Sequence, residues 1–599
     1  MAGQKAKAAI AYSVAKNYLT IGRAWLASSS WQTKYDLTLD LCVETTEVAY
    51  LCGEFEQVEH WAAIVLQEAR TILDTIKVCE VKIQLGMAQN QPLKAIKTAL
   101  QVLQQLGISF PETPDPSDIR IELDTITSLF AEEPIRDLIH LPQMTEPSKL
   151  AAMQILSRIM IAAYIAVPDF MPLLAAKQVN LSIQYGNAFV SPFAYAIFGM
   201  TLCGRVGNIE SAYQFGQLAL GMLSRSNSHS LKARTLNIIN NFIIHWKEHN
   251  RKLLKPLLEA YQGGLETGDF EFAAYSAYNY CFQSFVIGKE LVNVEREMRT
   301  YSEAIRQIKH EIAFNWIQIF QQTVSNLMER SLNPTRLVGE FYNEESKLPQ
   351  LQAANDGNSI FKVYFNKLFL YYLFSKYAQA VKSSDLAESH LSYVTALPLT
   401  PLYNFYDSLA RLAAYPESNV QVQLEILKKV AIGQEKMKHW ANYAPMNCLH
   451  KYHLVEAEKA RVLGQLLEAE KFYEQAIQGA RENGYIQEEA LAYELAVKHY
   501  LARGLEKFAQ LYMKEAHYCY ERWGAIAKVK DLETRYPQLF PQSSNIVSTS
   551  VRTATGTASN TSHTTTSNTA LDLATVMKAA QAISSEIELE QCSVLSCRF

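Results

Sequence analysis

The chain has 599 residues with a formal net charge of −4, and 19% of them are charged, 49% apolar and 11% aromatic. That length exceeds what one hydrophobic core normally fills, so several domains or an extended array are expected. The charge balance excludes the strongly basic face of a general nucleic-acid binder, and the apolar share excludes a chain disordered throughout.

The N-terminal "GQKAKAAIAYSVA" (3–15) is an Ala-rich amphipathic start without the apolar core of a signal peptide. It sets Gly3 at a turn place and Ala8, Ala11 and Ala15 on one helical stripe, so the chain reads as truncated, starting on the second helix of a hairpin. Weaker copies of the pattern follow in "GEFEQVEHWAAIV" (53–65) and "NQPLKAIKTALQV" (90–102). It returns in "GNIESAYQFGQLA" (207–219), "SKYAQAVKSSDLA" (375–387), "GQLLEAEKFYEQA" (464–476) and "GLEKFAQLYMKEA" (504–516). The starts differ by near multiples of about 40 residues, within the range of two-helix repeats.

The first place is a turn residue that tolerates the left-handed conformation closing a helix. Places six, nine and thirteen fall on one stripe of the next helix. Small residues at six and thirteen admit a close neighbour, and the aromatic at nine is expected to fill the groove beside them. One such hairpin cannot bury its whole apolar face, so neighbours must stack on it. The alternative is a single irregular helical bundle; the recurring interval favours the array.

Between these copies, "LGISFPETPDPSD" (106–118) and "LIHLPQMTEP" (138–147) read as punctuation, and "IMIAAYIAVP" (159–168) is too short to span a bilayer. "FEFAAYSAYNYCFQSFVIG" (270–288) and "KVYFNKLFLYYLFSKY" (362–377) read as long helices. Their tyrosines are either core or anchors for a peptide bound on the concave face of the array.

Candidate chemistry is sparse. "HWKEH", His245 to His249, has the form HxxEH, in which two histidines four apart on a helix grip zinc beside Glu248. No third ligand follows, so the segment reads as a polar helix end with Trp246 packed inward. Cys448, His450 and His453 in "NCLHKYH" read as packing and surface residues. Gly288-Lys289 lacks the remaining P-loop residues, "TGDFEF" (267–272) has Glu271 where a kinase DFG glycine would stand, and His310-Glu311 reads as a solvated helix face. The nine cysteines form no CxxC pair, which points to a reducing cytoplasm. No catalytic, cofactor-binding or metal-ligating residue is assigned, and no cofactor is expected.

After "RYPQLFPQ" (535–542) the composition turns Ser/Thr/Asn-rich, giving a flexible linker over 542–569. Leu573, Val576, Ala580, Ile583 and Ile587 then mark a coiled-coil-like connector helix over 570–590, read either as a surface helix or as a dimer contact. The tail 591–599 fits neither pattern.

Several phrases resemble the helical middle region of large cyanobacterial multi-sensor kinases: "SSWQTKYDLTLDLCVETTEVAYLCGEFEQ" (29–57), "LGISFPE" (106–112), "HWKEH", "LETGDFEFAAYSAYNYC" (265–281), "GKEL" and "RYPQLF". In that family a serine/threonine kinase and a P-loop ATPase precede such a TPR-like region, and a GAF sensor and a histidine kinase follow it. The segment 570–590 is similar to the family's connector into the GAF domain. The resemblance implies no catalytic residue at any position of this chain.

The expectation is therefore an all-α, TPR-like α-solenoid of antiparallel hairpins over 1–541, followed by linker, connector helix and tail. Its expected role is a non-catalytic interaction segment for kinase, ATPase, GAF or histidine kinase modules, in the cytoplasm, with neither nucleic-acid binding nor membrane insertion. The alternatives are a phosphotransferase or zinc hydrolase in its own right, and a frameshifted or decayed remnant.

Overall fold

A computed structural model describes residues 2–540, apart from 10, 90, 112–114, 131–133 and 226–228. The linker, connector helix and tail expected over 542–599 lie outside the described residues. Among the described residues every regular element is a helix, and the extended pairings are two isolated bridges, Gln143–Asn187 and Val338–Asn343.

The repeat pattern does become helical hairpins. Tyr35–Leu51 packs on Phe55–Glu68, Ile72–Ala88 on Pro92–Gln105, Gly357–Leu373 on Tyr377–Glu388, Pro445–Val462 on Leu466–Glu482, and Ile486–Ala502 on Glu506–Trp523. Gly53, Gly207, Gly464 and Gly504 stand at the first place with φ of 76, 80, 73 and 71°. At Gly464 the Gln465 N–H reaches back to the Ala460 carbonyl (2.9 Å) and the Gly464 N–H to Arg461 (3.2 Å), and Gly504 repeats the arrangement through Leu505 and Tyr500 (2.9 Å). This pair of bonds satisfies the last carbonyls of the first helix while reversing the chain.

One detail of the stripe differs from expectation. In the copies from residue 53 onward the buried residues stand at places six, ten and thirteen, as in Ala469, Tyr473 and Ala476; Ala509, Met513 and Ala516; Val58, Ala62 and Val65. The ninth-place aromatics Phe472, Tyr512 and Trp61 are only partly buried, although Phe215 is fully enclosed. At 100° per residue the ninth position lies about 60° to one side of the stripe, so it borders the contact and the tenth fills it. Gly3 also departs from its expected turn: it lies inside helix Ala2–Ala8 and is buried against Leu19.

The hairpins stack so that alternate helices form an inner layer. Ser191–Thr201, His229–Phe242, Phe270–Val286, Glu311–Leu327, Gly357–Leu373, Leu399–Ala414, Pro445–Val462 and Ile486–Ala502 each touch the next in that series. Their partners, such as Leu254–Thr267 and Leu466–Glu482, lie outside them.

Among the described residues the inner layer is filled rather than lining an open concave groove. From Phe272 to Val286 every residue is buried, because the layer curls until distant helices meet. Phe282 packs edge-on to Phe320 (5.1 Å between ring centres), Phe285 to Phe369 (5.9 Å) and Phe369 to Tyr406 (5.0 Å), and Phe285 also meets Trp523 at a tilt (6.0 Å). Tyr275, Tyr278 and Tyr372 are likewise core. The tyrosine-rich segments are thus spent on internal packing, where aromatic pairs add about 0.5–1.5 kcal/mol each beyond area burial. Among the described residues one helix, Pro147–Ala166, is long and apolar enough to cross a membrane. In this fold its Ala151, Ile155, Leu156, Ile159 and Ala163 pack into the core.

Candidate functional site

The two segments with metal-like spelling, 245–249 and 448–453, are brought together where the layer closes on itself. The chain from Ile244 to Leu253 is not an α-helix but two short 3-10 turns, Ile244–Trp246 and Asn250–Leu253. The two histidines of "HWKEH" therefore lack the shared helical face that zinc binding requires. His249 is committed through both ring nitrogens: Nδ1 accepts from the Arg251 N–H (3.0 Å) and Nε2 meets the Asn483 carbonyl (2.9 Å). Glu248 accepts from the Tyr213 hydroxyl (2.7 Å) and pairs with Lys252 (2.9 Å). Among the described residues no cluster of His, Cys, Asp and Glu has the arrangement to hold a metal ion.

What these residues build is a seam. Asn447 donates through Nδ2 to the carbonyls of His245 (2.8 Å) and Glu248 (2.7 Å). Its Oδ1 accepts from the Asn250 N–H (3.2 Å) and the Tyr485 hydroxyl (2.8 Å). The Tyr485 ring lies stacked between His249 (5.4 Å) and His450 (5.0 Å), and Trp246 packs on Trp440 (5.5 Å). Arg251 donates to the Gly484 carbonyl (2.8 Å), and Gln487 donates to that of Val286 (2.7 Å). A Cβ on Gly288 would stand 2.0 Å from the Gln487 Oε1, so this glycine permits the close approach. Gly288-Lys289 is a turn rather than a phosphate loop, and Lys289 pairs with Glu297 at 2.5 Å.

Behind Tyr485 lies a buried charge cluster. Glu488 pairs with Lys451 at 2.7 Å and touches His450 Nε2, and Lys451 also donates to the Asn447 carbonyl (2.8 Å). Burial alone would raise the Glu488 carboxyl, but Lys451 and His450 outweigh it and hold it below its ordinary range. His450 is thus no surface residue. His310, also expected on a solvated face, accepts from the Ala313 N–H (3.2 Å) as the cap of helix Glu311–Leu327, and packs on Tyr275 (4.8 Å).

Beside the seam a space of about 20 Å³ is lined by His245, Asn250, Cys448 and Lys451 among others. Both ring nitrogens of His245 are buried there and have no hydrogen-bond partner among the described residues. Burial pushes the His245 imidazolium down to about 3. Its folded value thus lies below the ordinary 6.5, so the stability it supplies is complete above pH 6.5 and drains as pH falls toward 3. We expect denaturant titrations to show about 2 kcal/mol less stability at pH 5 than at pH 7 from this group alone. His245→Phe should flatten that slope, leaving the part due to His450, which burial and Lys451 also push down, to about 4.

A second clasp joins the C-terminal helix Ile526–Arg535 to the end of Gly357–Leu373. Glu494 is its hub, paired with Lys528 (2.9 Å), Arg535 (3.3 Å) and Lys498 (3.5 Å), and it accepts from the Tyr520 hydroxyl (2.9 Å). Lys528 also donates to the Leu373 carbonyl, Arg535 to Ser375 (2.7 Å) and Lys498 to Tyr377 (2.9 Å). Nothing local in the sequence marks Glu494 as a hub; its own partners lie within about forty residues, and they in turn reach Leu373, Ser375 and Tyr377, more than a hundred positions away.

No family model matches the chain. A hybrid signal transduction histidine kinase G of Dictyostelium discoideum is 20% identical over 368 residues, covering 56% of this chain. The chain spans about a tenth of the length of that relative, 10%. A solved circular tandem repeat protein with novel repeat topology aligns over 84% of this chain and 94% of its own, at 11% identity and a TM-score of 0.15. At that score the fold rests on the chain's own helices. The likeness to a hybrid signal transduction histidine kinase is distant, and it covers more than half of a chain whose regular elements, among the described residues, are helices.

Proposed function

We propose that this chain is a non-catalytic, TPR-like regulatory segment of a multi-domain signalling kinase, acting in the cytoplasm. It would couple serine/threonine kinase and ATPase modules to GAF and histidine kinase output. The observation that supports this reading is the match to a hybrid signal transduction histidine kinase over more than half of the chain. The seam and the Glu494 clasp suit the role physically, since paired networks between remote segments can exist made or broken, which is what a relay needs.

Because the inner face is filled, partners dock on the outside. The outer helices of the last two repeats carry Leu467 (78% exposed), Leu511 (58%) and Phe508 (54%), apolar side chains that a partner helix would cover. The test titrates the chain with separately produced kinase, ATPase, GAF and histidine kinase modules of the resembling kinases. Saturable association with at least one module is expected, weakened about tenfold or more in a Leu467→Glu, Leu511→Glu double variant. No association with any of them would overturn the reading. Association unchanged in the double variant would overturn the docking face.

A further inference from the structure

A cavity of about 50 Å³ lies among helices Pro147–Ala166, Ser191–Thr201, His229–Phe242, Phe270–Val286, Glu311–Leu327 and Gly357–Leu373, away from the seam. Most of its wall is apolar, including Met160, Ile197, Met200 and Phe242. Ile161, Tyr164 and Ile165 also line it and are partly exposed, which gives it a rim toward solvent.

Into this wall project Asn241, Asn279 and Lys362, all buried. Lys362 is 1% exposed. Its ammonium donates to Asn358 Oδ1 and lies over the ring of Trp316 (3.9 Å) and farther from that of Tyr278 (5.6 Å). Among the described residues no carboxylate stands within ion-pair distance of it. Asp356 acts on it only from farther away and is engaged as the cap of its own helix, accepting from the Ser359 N–H (3.0 Å) and hydroxyl (2.5 Å). Burial outweighs Asp356 and pushes the Lys362 ammonium down to about 7. The side chains of Asn241 and Asn279 have no hydrogen-bond partner among the described residues, and the Asn241 Oδ1 is fully enclosed.

A buried cation without an anion is costly unless something completes it, and the Nδ2 groups of Asn241 and Asn279 stand ready to donate, whereas the enclosed Asn241 Oδ1 is an acceptor and makes no claim on an anion. Here they face one small space with apolar walls. We propose that this cavity is a binding site for a short-chain monocarboxylate. The carboxylate pairs with Lys362 and accepts from the amide groups of Asn241 and Asn279, while its alkyl tail packs on Met160, Ile197 and Met200. The volume sets the size: one water needs about 10–15 Å³ on this measure, so the space takes a few heavy atoms, an acid of about two to four carbons. The inference stands on the cavity alone and does not depend on the regulatory reading.

The test titrates the full chain with sodium butyrate by calorimetry, with sodium chloride and neutral butyramide as controls. Saturable binding of butyrate and none of the controls is expected. Lys362→Met keeps the length and removes the charge, and should weaken butyrate binding about tenfold or more while the thermal melt stays cooperative. Should that variant not fold, Asn279→Leu supplies the second arm, with a smaller loss of affinity expected. Absence of saturable butyrate binding up to about 100 mM would overturn the proposal. So would butyramide binding as well as butyrate, or affinity unchanged in the variant that folds.

Discussion

Replacing Glu494 with alanine lowers the unfolding free energy by about 3–5 kcal/mol, the cost typical of removing one partner from a buried ion pair. The side chain is 1% exposed; among the described residues its loss leaves Lys528, itself fully enclosed, and Arg535 with only Asp531 as an ion-pair partner, and Lys498 with none. The Tyr520 hydroxyl loses its acceptor as well. Guanidinium titration of the two proteins measures the difference, and a change under about 1 kcal/mol would mean the cluster is solvated in solution. The pH dependence gives a second reading. Burial alone would raise the Glu494 carboxyl, but Lys528, Lys498 and Arg535 hold it far below its ordinary 4.5. Its contribution is complete above pH 4.5 and is lost progressively below it. Glu494→Gln should therefore be less sensitive than the natural chain to acid below that point.

Gly186→Ala is the second large effect, with an expected loss of about 3 kcal/mol or more. Gly186 ends helix Met171–Tyr185 with φ 95° and ψ 173°, a region that side chains other than glycine rarely enter. A Cβ there would stand 2.3 Å from the Pro142 carbonyl oxygen, a backbone atom that cannot swing aside. That carbonyl accepts from the Asn187 N–H (2.8 Å), Asn187 returns a bond from the Met144 N–H (2.9 Å), and its side chain donates to the Leu138 carbonyl (2.7 Å). Displacing Pro142 would loosen this whole clip. Gly504→Ala is the control: φ is similarly positive at 71°, but nothing lies within 4 Å of the added carbon. Only the conformational cost of about 1–2 kcal/mol should appear. Equal melting temperatures for the two alanine variants would refute the clash.

The local half of this architecture can be read from the residues themselves. A turn glycine followed by Ala469 and Ala476, or by Ala509 and Ala516, specifies where a hairpin bends and where its partner approaches, because both effects act within one repeat. The one-place error over the groove-filling residue arose because Phe472 and Tyr512 outweigh Ala62 or Ser384 as signals of burial, although helical geometry favours the tenth place. Closure of the layer was not legible. It depends on Asn447 reaching His245 and on Gln487 reaching Val286, about two hundred positions apart, and no periodicity records such a meeting. In the sequence the histidine segments read as a polar helix end and as packing and surface residues; the inward Trp246 is legible there, but the 3-10 turns and the buried seam that join the two segments are not. Lys362 gave one usable hint, a lone cation inside "FKVYF" of an aromatic-rich helix, but its burial follows from helices contributed elsewhere.

Curling of the inner layer changes how the molecule comes apart. In a straight row of hairpins each unit leans only on its neighbours, so the ends fray and stability accumulates one interface at a time. Here the hairpin Ile486–Trp523 also carries Trp523 onto Phe285, and helix Ile526–Arg535 grips Leu373, so peeling this segment away uncovers side chains midway along the chain. Melting should then be closer to all-or-none over residues 191–540 than in an uncurled row, and trimming either end should weaken the distant middle.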